Sequence, residues 1–181
     1  DRTAGGLIMS IGTALRATRP DWVLVQGDTT SAIAGALAGH FAGFRLAHVE
    51  AGLRSGDRHR PWPEESHRKL IAAIANLHFA PTAAAAASLS AERVDPATIH
   101  VTGNTVVDAL RRLLEAQPPV ELTSGRRSIL VTCHRRESFG RGVAGVAEAI
   151  GRLAARGDVQ LTVPLHPNPR AGGALGRALA G

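Results

Sequence analysis

Three carboxylates and a histidine–arginine cluster stand where this chain could do chemistry. Asp28 lies in QGDTT at 26–30. Glu50 and Glu64 lie in HVEAGLRSGDRHRPWPEE at 48–65, and His134, Arg135 and Arg136 in TCHRRESFG at 132–140. Charged groups rarely go inside a protein unless paired, so packing alone does not explain such stretches directly behind apolar runs. Carboxylates move protons, and arginine with histidine holds phosphate. The combination points to an enzyme with an anionic small-molecule substrate, and it suits a sugar nucleotide.

Each candidate has a second reading. Asp28, followed by Thr29 and Thr30, fits either an acid/base group or the cap of the next helix. Glu64 and Glu65 fit either chemistry or the favourable placement of acids at a helix start. Glu50 leaves an apolar strand directly into Ala51-Gly52, where an ionisable group at a cleft is often tuned for function. Behind His134-Arg135-Arg136-Glu137 come Ser138, Gly140 and a helix start, so cations and free N–H groups would face one anion. His166 in PLHPNP at 164–169 fits a rigid turn as well as a ligand contact. Cys133 lacks the partners a zinc site needs, and His59, His67 and His78 show no metal spacing, so packing or surface roles are expected for them.

The elements that must position these groups alternate in type. Leu7, Ile8, Ile11 and Leu15 recur at helical spacing, and Trp22 to Val25 reads as a short strand. Ser31 to Ala42 reads as a helix, Arg45 to Val49 as a strand, and Glu64 to Ala75 as a helix with Pro63 in its first turn. Leu77 to Ala80 and Ile99 to Thr102 are further strands around a helix at Thr82 to Ser90. A helix carrying Val106, Val107, Leu110, Leu113 and Leu114 follows Gly103-Asn104. Gln117-Pro118-Pro119 and Thr123-Ser124-Gly125 make a linker. The pattern then restarts with strand 129–132, helix 143–155 and strand 160–163.

Such alternation with short connections predicts α/β structure with parallel sheets covered on both faces. The organisation expected is a Rossmann-like domain over 1–116, a linker at 117–125 and a second Rossmann-like domain over 126–181. Asp28, Glu50, His134 and His166 all fall just beyond strand carboxyl ends, where parallel sheets of this kind bind ligands. Glu64 instead opens a helix and is expected to turn towards the same opening.

Bulk properties exclude several classes. The net charge of +6 comes from scattered basic residues, and aromatics make up only 3%, so base stacking has few platforms and no nucleic-acid partner is expected. No apolar run spans a bilayer, and no signal-peptide pattern opens the chain. The single cysteine rules out an intrachain disulfide and suits a reducing compartment, with the cytoplasm as the expectation. Asp1 opens the chain in place of methionine, and Gly181 closes it within an alanine-rich helical pattern. An internal piece of a longer polypeptide is expected.

Taken in order, QGDTT (26–30), HVEAGLRSGD (48–57), PWPEE (61–65), TGNTVVDAL (102–110), HRRESFG (134–140) and PLHPNP (164–169) resemble the non-hydrolysing UDP-N-acetylglucosamine 2-epimerases along essentially the whole chain. The resemblance implies two Rossmann-like domains of the glycosyltransferase B type, both truncated, with a first strand before Asp1 and uridine-binding segments after Gly181. It implies interconversion of UDP-N-acetylglucosamine and UDP-N-acetylmannosamine for cell-surface polysaccharides, with no cofactor or metal and a homodimer at full length. Asp28, Glu50 and Glu64 match the catalytic carboxylates and His134 the histidine that contacts substrate. Arg135, Arg136, Glu137, Ser138 and His166 match substrate-binding or regulatory positions. Cys133 stands where many relatives carry glycine.

The implied route is anti-elimination of UDP to 2-acetamidoglucal and re-addition from the opposite face, which needs acid/base groups on both faces of C2. A hydrolysing 2-epimerase, an epimerase for a diacetamido uronic acid nucleotide and a glycosyltransferase of the same fold are the enzymatic alternatives. A non-catalytic UDP-sugar binder is the other class. On its own this length of chain is expected to be inactive and, through exposed sheet edges, prone to aggregate.

Overall fold

Four short apolar runs in the first part of the chain lie side by side as parallel strands. They are β1 (Trp22–Gln26), β2 (Arg45–Val49), β3 (Leu77–Ala80) and β4 (Ile99–Val101), in the order β1-β2-β3-β4. The structure, a computed structural model, describes residues 2–117, 125–133, 141–165, 175–176 and 179. It divides into two compact units, Asp1–Gln117 and Pro118–Gly181.

In the first unit the strands are joined through α2 (Thr30–Phe41), α3 (Glu64–Ile74) and α4 (Ala83–Ala91), with α1 (Arg2–Thr18) packed on α2. Register pairs Val23 with Leu46 and Val25 with His48, so these side chains share one face of the sheet. On that face Val25 and Leu46 pack against Ala32, Ile33 and Ala36 of α2 and Ile71 of α3. Burial of each larger aliphatic side chain contributes about 1.5–3 kcal/mol. Consecutive strand order with right-handed crossovers gathers successive helices on a single face. That differs from coverage of both faces: Leu24, on the opposite side of β1, is 64% exposed. α5 (Thr105–Ala116) carries its apolar residues Val106, Leu110, Leu113 and Leu114 exposed as well.

Helix starts follow local chemistry. Thr29 caps α2 by accepting from the Ala32 amide, and Thr82 caps α4 by accepting from Ala85. The residue before Glu64 is Pro63, which occupies the cap position of α3 and not its first turn.

The second unit holds β5 (Arg127–Leu130) paired in parallel with β6 (Val159–Thr162), and α6 (Arg141–Ala154) packs against β6. Val143, Ala147, Ile150 and Leu175 form its core, with Cys133 and Leu161 against it. β5 starts two residues earlier than the apolar run suggests, because Arg127 and Ser128 pair with Val159 and Gln160 despite their polarity. Among the described residues no helix is long and apolar enough to cross a membrane.

Candidate active site

Parallel strands bring their carboxyl ends to one edge, and there the first unit collects its acids. Asp28 lies two residues beyond β1 and Glu50 directly beyond β2, on neighbouring strands. The Gly27 amide donates to Val49 O at 3.0 Å, continuing the pairing into the turn. A Cβ placed on Gly27 would stand 3.6 Å from Glu50 Oε2, so the two turns touch.

Glu50 is held in an uncommon conformation. Its φ is +65°, in the left-handed region that a side chain disfavours. Such strain persists where the surroundings over-determine it, often at functional sites. One constraint is Asn104, which caps α5 by accepting from the Val106 amide at 3.1 Å through Oδ1. That bond fixes the amide's orientation and leaves Nδ2 to donate to Glu50 Oε1 at 3.3 Å.

Asp28 does not cap α2, since Thr29 does so. Its carboxylate is free for another role and meets α3. Arg68 approaches Asp28 Oδ2 with Nε at 2.7 Å and Nη2 at 2.6 Å, while His67 Nδ1–H donates to the Asp28 carbonyl at 2.7 Å. Arg68 Nη1 also donates to Glu65 Oε2 at 3.0 Å. Glu64, the third sequence candidate, opens the same helix one turn before Arg68 and is partly exposed. The three carboxylates therefore belong to one edge of one unit. His134, Arg135, Arg136, Glu137, Ser138 and His166 lie outside the described residues.

The loop after Glu50 is anchored at its Arg54-Ser55 step. Arg54 grips Glu92 with Nε–Oε1 at 2.9 Å and Nη2–Oε2 at 2.6 Å, and the Ser55 amide donates to Glu65 Oε2 at 3.1 Å. Hydrogen bonding to Arg54, foremost, lowers the Glu92 pKa.

Beneath the site, His48 is fully buried and its Nε2–H donates to Gly27 O at 2.8 Å. Burial, opposed by that bond, pushes its pKa from 6.5 down to about 4. Burial also lowers the pKa of His78, its paired neighbour on β3. A histidine that resists protonation when folded gives its full stabilisation above its unfolded pKa and loses it as pH falls towards the folded value. The expected result is a loss of about 3 kcal/mol from His48 alone as pH drops from 6.5 towards 4. Urea midpoints across that range should fall less steeply in His48→Gln than in the parent chain.

Sequence reasoning missed Arg68, His67 and Asn104, and treated His67 as a packing or surface residue. The available signal was the Glu65–Arg68 spacing on one helix, which places the pair within reach.

Over residues 1–181 the chain matches the family model described as UDP-N-acetylglucosamine 2-epimerase. It belongs to that family. The UDP-N-acetylglucosamine 2-epimerase of Salmonella typhimurium is 42% identical over 175 residues, covering 89% of this chain and 46% of the relative. Its namesake from Bacillus subtilis is 43% identical over 155 residues, covering 83% and 41%. The chain thus spans about half the length of the curated relatives it matches. A crystal structure of the Neisseria meningitidis UDP-GlcNAc 2-epimerase bound to UDP-GlcNAc superposes with a TM-score of 0.91 at 34% identity, covering 98% of this chain and 51% of that one. The Methanocaldococcus jannaschii enzyme in complex with UDP-GlcNAc and UDP gives 0.77 at 33% identity, covering 98% and 49%. The α/β fold with parallel sheets is therefore that of the 2-epimerases.

Proposed function

We propose that this member of the 2-epimerase family takes part in reversible epimerisation at C2 of UDP-N-acetylglucosamine, giving UDP-N-acetylmannosamine. The observation that carries the reading is the meeting of Asp28 and Glu50 at the ends of neighbouring strands, with Glu64 on the helix that grips Asp28. The hydrogen at C2 is next to no carbonyl, so enolisation cannot remove it. Elimination can. The C1–O bond breaks with its electron pair leaving on UDP, a carboxylate takes the C2 proton, and a C1=C2 double bond forms. UDP then re-adds at C1 while a second acid delivers a proton to the opposite face of C2. Atoms and electrons balance without an external oxidant, reductant or metal.

Asp28, Glu50 and Glu64 supply enough proton-transfer groups for both faces. His134, Arg135 and Arg136, with Glu137, Ser138 and His166, are proposed to receive the sugar nucleotide and to offset charge on the departing diphosphate, an interaction that strengthens in the transition state. The remaining parts of the proposal are a homodimer at the relatives' full length and a place in the cytoplasm, serving cell-surface polysaccharides.

The test uses the chain extended to the relatives' full length, incubated with UDP-N-acetylglucosamine in deuterated water. Both epimers should appear with deuterium at C2 and UDP still attached. Free N-acetylmannosamine with UDP would replace this reading with hydrolysis, and unexchanged substrate would remove catalysis altogether.

A further inference from the structure

We infer that Arg68 is the positioning residue for Asp28, with the buried Glu65 as its fixed anchor, so that Asp28 Oδ2 is held and Oδ1 is presented for proton transfer. The inference rests on the epimerisation reading and adds to it a residue and an atom.

The contacts are asymmetric in an informative way. Arginine commonly meets a carboxylate with two parallel bonds, one to each oxygen. Here Nε and Nη2 both reach the same oxygen, Asp28 Oδ2, at 2.7 and 2.6 Å. No bond to Oδ1 is made among the described residues. The carboxylate is oriented through one atom while the other stays available.

What stops Arg68 from following Asp28 is its other side. Nη1 lies 3.0 Å from Glu65 Oε2, and the Glu65 side chain is fully buried while that of Asp28 is 26% exposed. The same Glu65 oxygen also accepts the Ser55 amide at 3.1 Å. If Arg68 moved away, the Glu65 carboxylate would be left buried without its counter-ion, which is strongly unfavourable. Glu65 therefore fixes the guanidinium, and the guanidinium fixes Asp28.

The backbone under Asp28 is pinned as well. His67 holds the Asp28 carbonyl at 2.7 Å and His48 the Gly27 carbonyl at 2.8 Å. With its side chain 16% exposed and both edges of its fork committed to carboxylates, Arg68 is poorly placed to clamp a diphosphate. Because Glu64 and Arg68 share α3, one helix sets the position of two candidate carboxylates.

The test is Arg68→Lys in the full-length form, which keeps the charge and loses the fork. Turnover should fall about a hundredfold, the scale of a misplaced catalytic group, with KM little changed. The isotope effect with C2-deuterated substrate should rise as proton removal becomes limiting. Arg68→Lys added to Asp28→Asn should cost little more than Asp28→Asn alone. A rise in KM with kcat preserved would make Arg68 a substrate contact and overturn the inference, as would additive losses.

If Arg68→Lys does not fold, Glu65→Gln, close in shape, should give the same kinetic signature. Crystal structures add a readout that needs no turnover: the Asp28 carboxylate should hold one orientation in the parent and turn away in Arg68→Lys. An unchanged Asp28 would refute positioning. A parent protein without epimerase activity would instead refute the functional reading.

Discussion

In the chain extended to the relatives' full length, Glu50→Gln is expected to lower turnover by about 10²- to 10⁴-fold, the usual worth of a positioned acid or base, while UDP still binds. The exchange preserves shape: the glutamine oxygen can take the Asn104 Nδ2 bond that Glu50 Oε1 accepts at 3.3 Å. Asn104 itself cannot turn over freely, because its oxygen caps α5. What disappears is the capacity to take up a proton. The strained φ of +65° at this position would remain and continue to aim the side chain from the end of β2. Product analysis gives the turnover and calorimetry with UDP gives the binding. A proportionate loss of both would mark Glu50 as a structural residue.

That Glu50 stood out in the sequence at all has a physical reason. Strands of parallel sheets read as short apolar runs, so a carboxylate at the end of RLAHV is conspicuous, and the same holds for Asp28 behind WVLVQ, although only Val25 of that strand is buried. The strands of the first unit follow their apolar runs to within a residue for this reason. β5 does not, since Arg127 and Ser128 join it through backbone pairing, which polarity does not forbid. Which residue caps α2 was undecidable locally, because aspartate and threonine both cap helices; the bond from the Ala32 amide to Thr29 shows that Thr29 does.

The contacts that orient the carboxylates were not legible. Arg68 is 40 positions from Asp28 and Asn104 is 54 from Glu50. Such pairs exist only once the strands have stacked and brought their ends to one edge. Glu65 read as an ordinary helix-start acid, and nothing local showed that it would be fully buried with Arg68 as its counter-ion.

Gly52→Ala should be the most damaging small substitution near the site, costing about 3 kcal/mol or more. Two effects add. Gly52 has φ +86°, where an L side chain costs about 1–2 kcal/mol. The new methyl would also sit 2.2 Å from Ala85 O and 2.8 Å from Ala85 C, backbone atoms of α4 that cannot swing aside. Forcing extra volume into such a place typically costs about 1–3 kcal/mol more. Ala85 is also where Thr82 caps α4, and Ala51 packs beside Leu89, so relief would disturb the loop that Glu50 begins. Gly56→Ala is the control. It has φ +80° but nothing within 4 Å of the added carbon, so only the conformational cost should appear. For a unit of this size, Asp1–Gln117, each kcal/mol lowers Tm by about 4 °C. Gly52→Ala should therefore melt well below Gly56→Ala, and equal losses would show that φ alone, not the approach of α4, demands glycine at position 52.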